Sequence, residues 1–141
     1  MKKITVLVAA CIIFGFASKA QCDQTIKWTS SKSEFLDTSG NLQHANEEAV
    51  EVTTSPTKIS ILRHGTQEDE MKGDITNYSC KWKDKQNGKT TFKSVLLDKK
   101  GKIRHATITI EAVNGKTTIL LQAEEEQTII KLNIDAFEEV K

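Results

Sequence analysis

The chain has 141 residues, the length of one ordinary domain, so it has little room for separate catalytic and cofactor domains. It contains one proline and seven glycines, and 38% of its residues are hydrophobic, which excludes collagen, proline-rich linkers and extensive disorder. Twenty Lys and Arg stand against nineteen Asp and Glu, so the net charge of +1 gives no general attraction to nucleic acid or to an anionic membrane.

The beginning of the chain has the pattern of a secretory signal. Two lysines, Lys2 and Lys3, precede an apolar run from Ile4 to Ala17, and small residues follow around Ala20. We expect cleavage after Ala20. A lipoprotein signal that ends at a cysteine is the alternative.

This cleavage predicts a signal peptide at residues 1–20 and a single β domain at residues 21–141. The apolar run is shorter than the roughly 20 residues that cross a bilayer as a helix, and no other long apolar run follows. We therefore expect an exported product, periplasmic or extracellular, with no transmembrane segment after signal removal.

Cleavage also changes the charge and the cysteine count. It removes three of the 20 bases and no acids, which leaves 17 bases against 19 acids and a net charge of −2. It also removes Cys11, so Cys22 and Cys80 become the only candidate pair in a compartment where disulfides persist. A bridge between them is one possibility, and a buried free thiol at Cys80 is the other.

The first half of the mature chain contains short strand-like stretches between turn residues. In chain order these are a strand at Thr25–Ser30, a turn at Asp37–Gly40, a strand at Ala49–Thr54 and a strand at Lys58–His64. A short helical turn fits Glu47–Glu51. The segment from Gly65 to Lys72 has no apolar period, so we predict a loop there.

The second half alternates apolar and polar residues between regularly spaced turns. The predicted turns are Asn87-Gly88, Lys100-Gly101, Asn114-Gly115 and the acidic Glu124–Glu126. Apolar residues recur at every second position in the stretches between them, for example Ala106, Ile108, Ile110 and Ala112, then Ile119, Leu121 and Ala123, then Ile130, Leu132 and Ile134. Such alternation is typical of strands that bury one face.

The sequence therefore predicts an all-β domain, an antiparallel meander of about eight strands. Eight strands are enough to close into a small barrel, which removes the exposed sheet edges. A β-sandwich is the alternative, because two stacked sheets show the same alternation and the same short turns.

The succession of hairpins, the early Trp28 and a mature length of roughly 120 residues resemble small secreted barrels of the lipocalin-like or avidin-like kind. The stretch from Gly73 to Thr90 also resembles small exported bacterial proteins to which no function is assigned. The resemblance implies a barrel. Ile26 stands where the usual lipocalin opening has a glycine two residues before the tryptophan, so no ligand-binding residue is carried over.

Three aromatic residues, Trp28, Tyr78 and Trp82, are our candidates for ligand binding. Tyr78 and Trp82 alternate in phase with Cys80, so we expect all three side chains to face the interior. There they either line a cavity for a small apolar molecule or fill it as a packed core.

The known catalytic signatures that we searched for are missing from the sequence. It has no glycine-rich phosphate loop, no G-x-S-x-G elbow and no H-E-x-x-H helix. The three histidines, His44, His64 and His105, lie in separate segments without metal-ligand spacing, so we predict no metal site and no cofactor. Catalysis by Cys80 would need one of these histidines beside it.

A group of lysines around Trp82 and Phe92 superficially resembles a nucleic-acid surface. The lysines are Lys81, Lys83, Lys85, Lys89 and Lys93. Alternation places Trp82 on the opposite side of the pleat from its lysine neighbours. We therefore expect solvated lysines, a buried tryptophan and no nucleic-acid partner.

Three hypotheses for the function follow. The first is a non-enzymatic exported β domain that binds a small apolar ligand or an envelope or extracellular protein. The second is a small exported hydrolase or redox enzyme, in which a histidine lies within hydrogen-bond distance of Cys80, Asp74, Asp98 or Glu111. The third is a structural or inhibitory protein that docks through the segment from Gly65 to Lys72.

Overall fold

The structure is a computed structural model in which residues 20–64 and 68–140 are described. Residues 1–19 of the predicted signal peptide lie outside these ranges, as do residues 65–67 of the predicted loop. The signal peptide and its cleavage therefore stay predictions.

Eight antiparallel strands form a closed barrel in the order in which they follow along the chain. A short helix, α1 (Ala20–Asp23), precedes the strands, which are β1 (Ile26–Leu36), β2 (Leu42–Thr54), β3 (Lys58–His64), β4 (Glu68–Asp84), β5 (Asn87–Asp98), β6 (Ile103–Val113), β7 (Lys116–Ala123) and β8 (Ile129–Glu139). β8 pairs with β1 and closes the ring. The predicted all-β meander is confirmed, and it closes as a barrel rather than stacking as a sandwich. Within the described ranges, no helix has the length and apolar character needed to cross a bilayer.

Most of the predicted turns lie where the sequence placed them. Asn114 and Gly115 have φ angles of 52° and 83°, as a tight hairpin turn between twisted strands requires. The turn predicted at Asn87-Gly88 was wrong by two residues, because Lys85 and Gln86 form it and Asn87 begins β5. Gly88 is instead required by packing, since a Cβ atom there would lie 2.3 Å from the ring of Trp82.

Two other local predictions were wrong. Residues Glu68–Lys72 of the predicted loop form the beginning of β4, where Glu70 pairs with Leu62 of β3 and Lys72 pairs with Leu97 of β5. Glu47–Glu51, which fits a helical turn, lies within β2. In both segments backbone pairing with neighbouring strands overrides the weak local pattern.

The inward-facing side chains form one continuous core along the barrel. On several strands they alternate with exposed or half-buried residues, as in β6, where Ala106, Ile108, Ile110 and Ala112 are buried. The most completely buried large side chains are Phe92, Ile59, Ile61, Ile108, Ile110, Ile119 and Leu132. This packing fills the middle of the barrel, so the two ends are the places where open space is left.

A disulfide between Cys22 and Cys80 ties α1 to β4, with Cα atoms 5.8 Å apart. The pairing of β3 with β4 ends at Asp74, so the second half of β4 lacks β3 beside it, and α1 contacts β4 in this region. The Tyr78 hydroxyl donates a hydrogen bond of 3.0 Å to the carbonyl oxygen of Cys22 at the same place. Of the two alternatives that the sequence left open for these cysteines, the bridge is the one that forms. It accords with the predicted export because disulfides persist in oxidising compartments.

Replacement of both cysteines by alanine should lower the free energy of unfolding by about 4 kcal/mol, because the bridge closes a long loop in the unfolded chain. The cysteines are separated by 58 positions. Urea denaturation of the oxidised protein and of the Cys22→Ala/Cys80→Ala variant measures the difference. Reduction of the wild type with dithiothreitol should reproduce the effect, and a change below 1 kcal/mol would contradict this account.

Candidate functional site

The two ends of the barrel differ in the side chains that face inward. At one end, here called the closed end, Trp28 and Trp82 fill the interior. At the other end, here called the mouth, the same alternation that buries Ile59 and Ile61 brings Arg63 to the inner side of β3. On β6 the same alternation brings Arg104, two residues before Ala106, to the inner side of the strand. The interior is therefore mostly apolar, with a few buried Ser and Thr side chains, and it is charged at its mouth.

The mouth encloses a cavity of about 180 Å³. Its apolar wall consists of Phe35, Met71, Leu96, Ala106, Leu121, Ala123 and Ile130, and its polar wall consists of Arg63, Asp69, Arg104, Glu126 and Thr128. An apolar cavity of about 150 Å³ is enough for benzene, so this space matches a molecule with a single ring or a short branched chain. Both arginines of the chain lie in this one wall.

Arg63 is held by a carboxylate on the neighbouring strand β2. Its Nη2 atom lies 3.1 Å from Oε1 and 3.3 Å from Oε2 of Glu48, and its Nε atom lies 3.3 Å from Oε1. The Glu48 side chain is only 11% exposed, so the pair is partly desolvated and its planar geometry fixes the guanidinium. The Nη1 atom of Arg63 makes no hydrogen bond with any described residue and remains available as a donor.

Arg104 is held in a similar way by the segment that follows β7. Its Nε atom donates a hydrogen bond of 3.0 Å to Oε1 of Glu126, and its Nη1 atom lies 3.3 Å from Sδ of Met71. The guanidinium therefore joins β4, β6 and the β7–β8 connection. Each arginine is oriented by a carboxylate and keeps donors unused by the described part of the chain, an arrangement suited to a polar group of a bound molecule.

The neighbouring residue His105 holds the same β7–β8 connection from outside the barrel. Its Nδ1 atom lies 2.6 Å from Oε2 of Glu125, and its backbone N–H donates to both oxygens of that carboxylate. The hydrogen bond and the charge of Glu125 raise the pKa of His105 above its ordinary value of 6.5. Hydrogen bonds from the side chain and backbone of His105 lower the pKa of Glu125 below 4.5. The adjacent ion pairs Arg104–Glu126 and His105–Glu125 thus hold the β7–β8 connection in place at one side of the mouth.

The three aromatic residues predicted to bind a ligand lie together at the closed end. The ring centroids of Trp28 and Trp82 are 6.4 Å apart, and their indole N–H groups donate to the hydroxyls of Thr54 and Thr90. Tyr78 borders the same space with 36% of its surface exposed, and burial of its hydroxyl is the main cause that raises its pKa. The space among them measures about 10 Å³, at the lower limit for one water molecule. Ligand binding by these residues stays a prediction.

The pairing required by the enzyme hypothesis is not formed within the described ranges. Cys80 is bonded to Cys22, so its sulfur is not a thiolate nucleophile in the oxidised protein. Each histidine contacts a different partner: His44 stacks on Phe35, His64 lies 3.7 Å from Glu51, and His105 contacts Glu125. No group of three or more His, Cys, Asp or Glu side chains suitable for a metal ion occurs in residues 20–64 and 68–140.

A shallow groove of about 690 Å³ also lies on the outside of the barrel, across β3, β4 and β5. Its lining includes the exposed apolar side chains Val95 and Leu97 and charged residues of both signs, namely Lys58, Glu70, Lys72 and Asp74. Two acids and two bases balance each other there. The groove by itself therefore indicates no particular charge for a partner.

Comparisons of the chain with protein-family models, with curated proteins and with solved structures find no match. The geometry of the mouth is therefore the basis for proposing a function.

The residues of the mouth were missed by the sequence analysis, although a signal for them existed. Arg63 follows Ile59 and Ile61 at steps of two, and Arg104 precedes Ala106 and Ile108 at the same step. An arginine that keeps the inward phase of a strand faces the interior and requires a partner. Nothing in the sequence identifies Glu48 and Glu126 as those partners, because they lie on other segments.

Replacement of Arg63 by methionine should lower the free energy of unfolding by about 2 kcal/mol, because the mostly buried Glu48 loses its charged hydrogen-bond donor. Urea denaturation at pH 7 measures this loss. The double variant Arg63→Met/Glu48→Met should be more stable than the single variant. The matched control Lys72→Met breaks an exposed ion pair with Glu70 and should cost less than about 1 kcal/mol. Equal losses of unfolding free energy in Arg63→Met and Lys72→Met would contradict the stabilising role given to the pair of Arg63 and Glu48.

The contact between His105 and Glu125 should stabilise the protein most between about pH 4.5 and pH 6.5. A raised histidine pKa gives stability that is complete below the unfolded value of 6.5 and disappears as the pH rises through the folded value. A lowered glutamate pKa gives stability that is complete above 4.5 and disappears as the pH falls through the folded value.

The difference in unfolding free energy between wild type and Glu125→Gln, measured in urea from pH 3 to pH 9, should therefore be largest in this window. Glu139→Gln, at the other end of the barrel, is the control and should show no such maximum. A difference that does not vary with pH would reject the coupling.

Proposed function

We propose that the protein is an exported, non-enzymatic binding protein that holds a small, largely apolar molecule in the mouth of the barrel. The apolar part of this molecule lies against Leu96, Leu121 and Ile130. Its polar part lies at the rim, beside Arg63 and Arg104.

The observation that carries this proposal is the composition of the mouth cavity. Seven apolar side chains form its inner wall, while two oriented guanidinium groups stand at its rim. Small-molecule sites have this composition, with an apolar wall for affinity and a few fixed polar groups for orientation. Glu48 and Glu126 hold the two guanidinium groups in place, so the site needs little reorganisation when a molecule binds.

The charges at the rim favour a polar group that accepts and donates hydrogen bonds over a simple anion. Glu48 and Glu126 already neutralise the two arginines, and Asp69 adds a carboxylate to the wall. No cation of the described chain lies within 4 Å of the Asp69 carboxylate. A neutral or zwitterionic polar group of a ligand therefore finds hydrogen-bond donors in Arg63 and Arg104 and an acceptor in the Asp69 carboxylate.

Substitution of Ala123 by phenylalanine should weaken ligand binding at least tenfold, because the added ring occupies the cavity that Ala123 lines. The probes are benzyl alcohol, phenylacetate and phenethylamine, which share one ring and differ in the charge of the head. Chemical shifts of the methyl groups of Leu121 and Ile130, followed by NMR during titration of the oxidised protein, measure the affinity.

The matched control is Ala136→Phe, because Ala136 is exposed on β8 outside the cavity. It should bind every probe as the wild type does. The absence of methyl shifts with all three probes at millimolar concentration, or equal binding by the two phenylalanine variants, would reject the proposal.

A further inference from the structure

The outer face of the β4–β5 hairpin carries five exposed lysines: Lys81, Lys83, Lys85, Lys89 and Lys93. No carboxylate of the described residues lies within 4 Å of any of their ammonium groups. Other exposed lysines, such as Lys32, Lys58 and Lys116, share this property, but these five are grouped on one hairpin. This group of five, here called the basic face, is therefore an unneutralised positive surface on a protein whose mature charge is predicted to be −2.

The strand register concentrates the charge of the basic face. Lys81 and Lys89 are direct cross-strand partners, a pairing of like charges that destabilises a sheet. Glu111 is the cross-strand neighbour of Lys89 on β6, yet no ion pair forms between them. The carboxylate of Asp84, the last residue of β4, accepts hydrogen bonds from the backbone N–H of Gln86 and from the side-chain amide of Asn87. The mutual repulsion of these lysines decreases when an external anionic surface contacts them.

An apolar patch continues the basic face toward the mouth. Lys89, Lys93, Val95 and Leu97 follow one another at even steps on the outside of β5, and Leu97 pairs with Ile103 of β6. Val95, Leu97 and Ile103 are each 51% exposed. The distance from Lys93 to Leu97 along the strand is about 13 Å, at roughly 3.3 Å per residue. One side of the barrel thus joins unpaired lysines to exposed aliphatic side chains, beside a groove in which the charges of Lys58, Glu70, Lys72 and Asp74 balance.

The combination of a basic face with adjoining aliphatic side chains favours a lipid surface over other polyanions as the partner. Nucleic acid is bound with arginines and with exposed aromatic rings, but both arginines of this chain lie at the mouth, and Trp82 and Phe92 are buried. A sulfated polysaccharide would use the lysines and leave the aliphatic patch unused. Anionic headgroups attract lysines, and the adjoining interfacial region accepts aliphatic side chains.

We infer that the outer face of β4, β5 and β6 docks on the surface of an anionic lipid bilayer. The basic face contacts the headgroups, and Val95, Leu97 and Ile103 enter the interfacial region. The barrel stays on the membrane surface in this arrangement, and its mouth remains open to molecules in solution or at the interface.

Co-sedimentation with vesicles tests this docking. The oxidised full chain should bind vesicles of phosphatidylcholine with 30% phosphatidylglycerol and should show little binding to phosphatidylcholine alone. Binding should decrease steeply between 50 mM and 500 mM NaCl, because salt screens the lysines. The variant K81Q/K89Q/K93Q should lose about a hundredfold in affinity, given the contribution of each lysine near an anionic surface.

Two further variants separate charge from apolar contact. K27Q/K32Q/K131Q removes the same charge from β1 and β8 and should bind anionic vesicles within about threefold of the wild type. V95S/L97S/I103S should lose about tenfold while keeping the same dependence on salt. Circular dichroism of each variant confirms that the barrel is intact.

Equal binding to neutral and anionic vesicles, or an equal loss in the two lysine variants, would overturn the inference. Binding of V95S/L97S/I103S to anionic vesicles as strong as that of the wild type would also overturn the inference. If the protein then bound heparin as strongly as it binds these vesicles, the face would be assigned to polysaccharide. The docking is independent of the mouth: A123F should bind vesicles normally, and K81Q/K89Q/K93Q should bind the NMR probes normally.

Discussion

The pairing of β8 with β1 is the interaction on which the rest of the structure depends. It closes the sheet into a ring, so every second side chain of eight strands points into one limited interior. In the middle most of the side chains are apolar, Phe92 among them, and they fill the space. Polar groups that keep the inward phase cannot reach solvent through the wall of the ring, so each needs a partner inside the barrel or at one of its ends.

The two ends resolve this constraint in different ways. At the closed end large aromatic rings occupy the interior, Thr54 and Thr90 accept their indole hydrogens, and the disulfide holds α1 beside the unflanked half of β4. At the mouth the inward side chains are charged and smaller apolar residues surround them, so a cavity remains. Among the described residues, the packed end leaves almost no space and the mouth leaves a cavity, and this asymmetry is the physical basis of the proposed binding function.

The outside of the barrel is free to vary independently of the interior, because alternate side chains belong to opposite faces. On β5 the inward residues Thr90, Phe92, Ser94 and Leu96 are buried, while Lys89, Lys93, Val95 and Leu97 between them are outward. One strand therefore supports both the core and the surface inferred to contact lipid. A single barrel can in this way hold a ligand inside and contact a membrane surface outside without sharing residues between the two tasks.

The sequence by itself determined the strand content, the alternation, most turns and the candidate cysteine pair, because period-two hydrophobicity and glycine or asparagine in turns are local properties. The shifted turn at Lys85-Gln86 and the strand at Glu68–Lys72 were not determined locally, since packing of Gly88 on Trp82 and pairing on both sides of β4 decided them. Only the tertiary structure decided that the ring closes, that the disulfide forms, and that Arg63 meets Glu48 and Arg104 meets Glu126. Those contacts join residues far apart in the chain, and no local pattern encodes which distant carboxylate a closed barrel brings to an inward arginine.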